Sequence, residues 1–145
     1  MHFEGVFTVA APREEVFGLV TDPNQVASCM PGFRRLVVKS GDEFDVVVTV
    51  GISVIRGEIS MRFRTLEKDP PSKVRMNAHG VGLGSAVDVE MMTQLEDEKD
   101  GGTKMKWTAE ASVGGKVASL GQGLVKAQAE KIIRELFDCL RSRLA

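Results

Sequence analysis

The stretch EFDVVVTVGISVIRGEISMRFRT, residues 43–65, decides the fold class of this chain. In its second half Ile59, Met61 and Phe63 alternate with charged or hydroxyl side chains. Successive side chains of a β-strand point to opposite faces, so this period of two predicts a strand with one dry face and one wet face. The first half repeats the alternation, and a turn between the two strands is predicted near Arg56–Gly57.

The same alternation runs from residue 33 to residue 113 and is interrupted by glycine and proline turn signals. It predicts six strands, and the run 3–9 predicts another strand before them. Short connections favour antiparallel pairing. The row predicted to form the dry face is Val46, Val48, Val50, Ile59, Met61, Phe63, Val74, Met76, Ala78, Val87, Val89, Met91, Met105, Trp107, Ala109 and Ala111.

Helix signals occur in two parts of the chain. Ala11–Pro12 and Asp22–Pro23 each begin a short helix after the first strand. Residues 116–144 contain no proline and repeat apolar side chains at helical spacing, which predicts one continuous helix of roughly 40 Å. The fold class is therefore α+β. We predict a helix-grip fold, in which a curved seven-stranded antiparallel sheet is covered on its dry face by the long C-terminal helix.

Composition and charge narrow the classes of function. The chain has 145 residues and a formal net charge of -1 with interleaved signs, so it lacks the one-sided positive field that nucleic-acid binding requires. No stretch approaches the ~18 apolar residues of a membrane-spanning helix. Cys29 and Cys139 have no metal-ligand spacing, and such a pair is a poor disulfide framework. We expect no metal site, reduced thiols and a cytoplasmic location.

A set of short motifs, taken with this order of elements, resembles the carbon monoxide dehydrogenase G-subunit family of the START/polyketide-cyclase (SRPBCC) superfamily. The motifs are Ala11–Pro12, Val16, Asp22–Pro23, Val26–Ala27, Cys29, Pro31–Gly32, Gly51, Gly57, the run 80–84, Trp107 and Leu120–Gly121. The resemblance covers nearly the whole chain and implies a single START-like ligand-binding domain, residues 1–145.

The resemblance also implies a function. Family members accompany molybdenum hydroxylases such as aerobic carbon monoxide dehydrogenase, and they resemble lipid-binding domains. A hydrophobic, lipid- or quinone-like ligand, a molybdenum hydroxylase partner and peripheral contact with the inner face of the membrane are the expectations that follow. The chain ends at Ala145, without the further membrane-directed tail of longer members, which argues against an anchor of that kind.

An apolar pocket under the C-terminal helix is the predicted site. Methionine adapts to ligands and also fills irregular cores, and four of the seven methionines fall on the dry face. Small residues such as Ala78 and Gly121 at expected interior positions favour an open space. The predicted ligand-binding residues are Met30, Pro31, Val48, Met61, Phe63, Met76, Val89, Met91, Trp107, Leu120, Gly121 and Leu124.

Three hypotheses about function stay open from the residues alone: a non-enzymatic carrier of a hydrophobic small molecule, an enzyme of the polyketide cyclase kind, and a docking domain with a filled core. Catalysis is disfavoured because tyrosine is absent and His79, Asp88 and Glu90 fall on the wet face or at a strand end. We therefore expect no catalytic residues and no covalently bound cofactor.

Overall fold

The computed structural model describes residues 1–144, and Ala145 lies outside the described residues. The seven strands form one antiparallel sheet in the order β1-β7-β6-β5-β4-β3-β2. The strands are β1 His2–Val9, β2 Phe33–Ser40, β3 Glu43–Ile52, β4 Ile55–Asp69, β5 Lys73–Gly82, β6 Ser85–Asp97 and β7 Thr103–Gly115. The helices are α1 Arg13–Val20, α2 Pro23–Cys29 and α3 Gln122–Ser142, with a 3₁₀ turn at Ala118–Leu120. The predicted α+β helix-grip fold is confirmed.

The register of the strands confirms the predicted faces. Phe44 pairs with Phe63, and Val46 pairs with Met61, so alternate residues of neighbouring strands share the dry face. Val46 is fully buried at 0% exposure. The turn between β3 and β4, however, lies at residues 53–54 and not near Arg56–Gly57, which is inside β4. A serine takes the left-handed conformation of this turn, with φ of 55° at Ser53, and therefore no glycine marks it.

The two short helices begin directly after Pro12 and Asp22, close to where these residues predicted a helix start. Pro12 has extended backbone before α1, and its carbonyl accepts the first helical hydrogen bonds. Asp22 caps α2, because its Oδ1 accepts a hydrogen bond from the Asn24 backbone N–H at 3.0 Å. Both helices then pack on the sheet through residues such as Val16 and Ala27, which are 1% and 0% exposed.

The predicted continuous helix over 116–144 is wrong at its beginning. Strand β7 continues to Gly115, a 3₁₀ turn follows, and Gly121 has φ of 103°. This backbone conformation is open to glycine and strained for other residues, so α3 begins only at Gln122 and is about 31 Å long. Gly121 therefore turns the chain into the helix and does not lie within it.

At the beginning of α3 the residue that meets the sheet differs from the predicted one. Val125 is buried at 7% exposure, whereas Leu124, predicted to face the interior, is 44% exposed. Val125 packs with Ile52 and Val117 at the end of the sheet where β3 meets β4. At the other end of α3, Leu140 is buried.

Two glycine variants test this account of the chain between β7 and α3. Gly121→Ala places a side chain at a positive φ, so we expect it to lower the free energy of unfolding by about 1–3 kcal/mol. Gly123→Ala lies inside α3 with open space around it, and we expect it to raise stability by about 0.5–1 kcal/mol. Thermal and denaturant unfolding measure both changes. Stabilisation by Gly121→Ala would contradict this account and would indicate that Gly121 lies within the helix.

Candidate ligand-binding site

The floor of the site is an aromatic pair on the dry face of the sheet. Phe44 of β3 and Phe63 of β4 are register partners, and their rings stack with centroids 5.0 Å apart and planes 7° from parallel. Both are buried, and Ala27 of α2 packs in the same cluster at 0% exposure. The small side chain of Ala27 brings α2 close to the sheet at this point.

A cavity of about 110 Å³ lies beside this pair, between the sheet, α2 and the C-terminal half of α3. Its sheet side is formed by Phe44, Phe63, Thr65, Val74, Met76, Met91, Thr93 and Met105. Its other side is formed by Val20, Thr21, Asp22, Pro23, Val26, Met30, Gly41, Leu136, Phe137 and Leu140. The lining is mainly apolar, which is the usual character of a small-molecule site.

Methionine side chains make the wall adaptable. Met105 is packed at 1% exposure, whereas Met30, Met76 and Met91 are only partly buried. The cavity, at about 110 Å³, is smaller than an engineered apolar cavity of about 150 Å³ that binds benzene in another protein, so even a ligand of one ring requires side chains of the lining to move. Larger ligands require side chains to move, and the three rotatable bonds of methionine allow such movement.

A disulfide fixes the wall formed by α2 and α3. The expectation of reduced thiols is wrong, because Cys29 and Cys139 are bonded, with Cα atoms 5.5 Å apart. They are 110 positions apart in the sequence, so their proximity comes from the packing of α2 on α3 and not from local spacing. Disulfides are uncommon in reducing compartments. The cysteines therefore no longer support a cytoplasmic location.

Hydrogen bonds from Arg143 reinforce the contact between α2 and α3. The Arg143 guanidinium, at the end of α3, donates to the Gln25 carbonyl at 3.1 Å, to Gln25 Oε1 at 2.6 Å and to Ser28 Oγ at 2.8 Å. Charge-assisted hydrogen bonds of this kind are stronger than neutral ones. The end of α3 is thus attached to α2 by a covalent bond and by a set of polar contacts.

Trp107 lies one side chain away from the cavity. Its indole ring packs on Phe137, with centroids 5.1 Å apart, and Phe137 lines the cavity. The ring also covers Gly5 of β1, where a Cβ atom would lie 2.6 Å from the indole Nε1. Gly5 is therefore required by this close approach, and Phe137 lies between the tryptophan and the cavity.

The structure brings part of the predicted site together. Four of the twelve predicted residues line the cavity: Met30, Phe63, Met76 and Met91. Three others pack against the adjoining core cluster: Val48, Met61 and Val89. Pro31 is half-buried in the turn after α2, outside the lining.

The other predicted residues lie elsewhere. Leu120 packs in the cluster around Val117 and Val125, at the opposite end of α3 from the cavity, and Gly121 and Leu124 are exposed there. Their predicted place under the helix depended on a helix beginning at residue 116, and it is lost because α3 begins six residues later.

Several lining residues were not predicted. Phe44 continues the alternation of β3 by one step, and Leu136 and Leu140 belong to the apolar stripe of α3, so the sequence contained a signal for these three. Phe137 lies beside that stripe. Its inward position becomes apparent only from the structure. The ring centroid of Phe137 lies 5.1 Å from that of Trp107 and 5.4 Å from that of Phe7.

The outer face of the sheet contains a wider, polar groove of about 840 Å³. Its charged side chains pair with one another: Arg62 Nε donates to Asp45 Oδ1 at 2.9 Å, and His79 Nδ1 lies 2.6 Å from Asp88 Oδ1. The hydrogen bond from Arg62 holds the pKa of the Asp45 carboxyl below its ordinary value. This groove is the solvated face that the alternation predicted.

Metal clusters and membrane-spanning helices are both absent from residues 1–144. Within this range, His, Cys, Asp and Glu side chains form no group of three that could hold a metal ion. None of the helices in the same range is long and apolar enough to cross a membrane.

A curved antiparallel sheet, closed by a C-terminal helix over an apolar cavity, defines a protein with a START-like fold. More particularly, the sequence pattern of the carbon monoxide dehydrogenase G-subunit family (CoxG) matches residues 5–145, and the chain belongs to that family. The family resemblance inferred from the sequence is thereby confirmed. No curated protein matches the chain.

Three solved structures are similar to this chain in fold. A conserved protein from Geobacillus kaustophilus is 25% identical, with a TM-score of 0.90 over 98% of this chain and 93% of that one. A START superfamily protein from Mycobacterium smegmatis is 13% identical, with a TM-score of 0.76 over 99% and 96% of the two chains. The Zhui aromatase/cyclase from a Streptomyces species is 14% identical, with a TM-score of 0.71 over 98% and 92%. The likeness of the last two to this chain is one of fold alone.

The disulfide provides a test of how the cavity wall is held. We expect the double variant Cys29→Ser/Cys139→Ser to lose about 2–4 kcal/mol of unfolding free energy. Relative to wild type, its amide hydrogen exchange should accelerate more in the last turns of α3 than in β5. Wild-type protein treated with a dithiol reductant serves as the matched sample and should show the same two changes. Equal melting temperatures before and after reduction would contradict the role given to this bond.

Proposed function

We propose that this protein binds a hydrophobic small molecule, lipid- or quinone-like, in the cavity under α3 and acts as an accessory protein to a molybdenum hydroxylase of the carbon monoxide dehydrogenase type. The observation that carries the ligand part is the cavity itself, an apolar space bounded by methionine and aromatic side chains. Family membership supports the accessory part.

The distribution of polar groups favours a ligand with one polar end. Thr65 and Thr93, which each carry a hydroxyl group, belong to the lining on the sheet side. Thr21 and Asp22 lie on the other side, where the Thr21 hydroxyl already donates to the Phe17 carbonyl at 2.7 Å. A carbonyl or carboxyl group near the two sheet threonines, with an apolar ring or chain among the methionines, fits this arrangement.

A binding role suits the site better than a catalytic one. Acid–base or nucleophilic catalysis requires titratable groups that converge on the substrate. In the lining of the cavity the titratable side chain is Asp22, and its carboxylate is occupied as the N-cap of α2. The proposal is therefore a non-enzymatic carrier without a covalently bound cofactor.

Fluorescence of Trp107 tests ligand binding, because Trp107 is the sole tryptophan of the chain and packs on Phe137. We expect a saturable change in its emission with a decyl-substituted benzoquinone or with decanoic acid. Met91→Phe inserts a rigid ring into a cavity of about 110 Å³ and should weaken binding by at least about tenfold.

Met92→Phe is the matched control, because Met92 follows Met91 on β6 and its side chain points to the opposite face of the sheet. It should bind as the wild type does. If folded, lipid-free protein gives no response to either probe, or if both variants bind equally well, the cavity is not the ligand site.

The accessory role predicts a second measurable effect. Oxidation of carbon monoxide with water to carbon dioxide releases two electrons and two protons, which reduce a quinone to its quinol. We expect a purified carbon monoxide dehydrogenase to reduce the decyl-substituted benzoquinone faster when wild-type protein delivers it than when Met91→Phe is present. Equal rates of quinol formation would argue against this role while leaving ligand binding intact.

A further inference from the structure

Strand β2, Phe33–Ser40, forms one edge of the sheet. It pairs with β3 on one side, and within residues 1–144 no backbone group of residues 34–40 has a hydrogen bond outside that pairing. Register shifts near both ends leave residues 35–38 as its regular stretch. Seven of its eight residues are exposed. An unpaired and uncovered edge of this kind is a template for a further strand.

The register identifies the residues of β2 that direct their backbone groups outward. The Thr49 N–H of β3 donates to a carbonyl just before β2 at 2.8 Å, so the odd-numbered residues of β3 direct their backbone groups toward β2. Their register partners in the regular stretch are Arg35 and Val37. Leu36 and Val38 alternate with these two, and they therefore direct their N–H and C=O groups away from the sheet.

Apolar side chains flank the regular stretch on both faces of the sheet. Val38 lies on the dry face and is 49% exposed, and Val37 lies on the wet face and is 55% exposed. Phe33 is exposed as well, so three of the eight exposed large apolar side chains of residues 1–144 belong to this one strand. A strand beside β2 would cover apolar surface on each face in addition to pairing its backbone.

The charged side chains of the strand are all positive. Residues 31–40 contain Arg34, Arg35 and Lys39 and no aspartate or glutamate. The two arginines share one carboxylate oxygen of Glu58, at 4.0 and 3.9 Å. Lys39 Nζ lies 3.7 Å from a carboxylate that already forms a shorter ion pair. The three cations are therefore only weakly neutralised within the chain and attract an acidic partner.

A second copy of this chain does not suit the edge. Antiparallel pairing of β2 with itself about its centre places Arg34 of each copy opposite Lys39 of the other, and like charges directly opposite each other destabilise a sheet. In any register, three cations from each strand bring six positive charges to one pair of strands. An acidic segment brings charges of the opposite sign to the same positions.

The other edge of the sheet differs in charge. Strand β1 pairs with β7 along His2–Val9, and it contains Glu4 and no lysine or arginine. The Met1 carbonyl accepts a hydrogen bond from β7 at 2.8 Å, so the even-numbered residues of β1 direct their backbone groups outward. Val6 is one of them and is 58% exposed. It therefore matches Val38 in backbone direction and in exposure, on an edge without cations.

We propose that the edge of β2 binds an extended acidic segment of a partner protein, which adds to the sheet as an eighth strand. Its backbone pairs with the outward groups of Leu36 and Val38. Its carboxylates meet Arg34, Arg35 and Lys39. In strand addition of this kind main-chain hydrogen bonds provide affinity, and alternate side chains provide specificity. The proposal goes beyond the ligand-binding function and does not depend on what occupies the cavity.

Fluorescence anisotropy of a labelled peptide tests the proposal with the full chain. The probe is a blocked octapeptide of alternating glutamate and valine, and its control has lysine in place of glutamate. We expect saturable binding of the acidic probe that high salt weakens, and little binding of the basic one. Amide hydrogen exchange at Leu36 and Val38 should slow when the acidic probe binds, because their N–H groups become paired, while exchange at Val6 stays unchanged.

Matched variants separate strand addition from attraction by charge. Val38→Pro removes an outward N–H and leaves the donors of the β2–β3 ladder in place, so it should weaken binding about tenfold, the factor that one net hydrogen bond provides. Val6→Pro makes the same change on β1 and should bind as the wild type does. Arg35→Gln should weaken binding about threefold at low salt, whereas Lys99→Gln, in the β6–β7 connection, should not. Circular dichroism checks that each variant is folded.

Several results would overturn the proposal. They are absence of binding to the acidic probe at low salt, equal binding of the basic probe, and unchanged exchange at Leu36 in the complex. Weaker binding by Arg35→Gln with no loss in a folded Val38→Pro would mean that charge alone holds the probe. If Val38→Pro does not fold, exchange at Leu36 and Val38 in the wild type decides the question. Dimerisation of the wild type that protects the same two amides would assign the edge to a second copy instead.

Discussion

Helix α3 has to cover the dry face of a curved seven-stranded sheet, and it meets that face closely only near its two ends. Val125 and Leu140 are the buried residues of the helix, and about 22 Å of helix separates them. The residues between them, such as Ile132 and Ile133, are half-buried. A straight helix on a curved sheet leaves space along its length unless large side chains fill it, and the cavity lies under the C-terminal half of α3, where Leu136, Phe137 and Leu140 line it.

Each end of α3 is fixed by a different device. At the beginning, Gly121 provides the positive φ that reverses the chain after β7 and places Val125 over Ile52. At the other end, the bond between Cys29 and Cys139 ties the helix to α2. Because both ends of α3 are fixed, its middle does not need to pack closely on the sheet. The stability of the fold and the openness of its interior are therefore compatible.

The sequence predicted those features of the site that depend on local periodicity. Alternation along a strand determines which side chains share a face, so the inward positions of Phe63, Met76 and Met91 followed from their spacing. Contacts between distant segments have no such signal. The position of Phe137 against Trp107 depends on how α3 lies across β7, and that in turn depends on the conformation of Gly121.

The predicted residues that do not line the cavity still have a place in this arrangement. In the register of the sheet, Val48, Met61 and Val89 lie on the dry face between the cavity and the end of the sheet at the β3–β4 turn. Met61 fills the space over Gly80, where an added Cβ atom would collide with its sulfur. The flexible side chain of Met61 therefore fills the part of the interior that Gly80 leaves open, and it closes the cavity on the side of the β3–β4 turn.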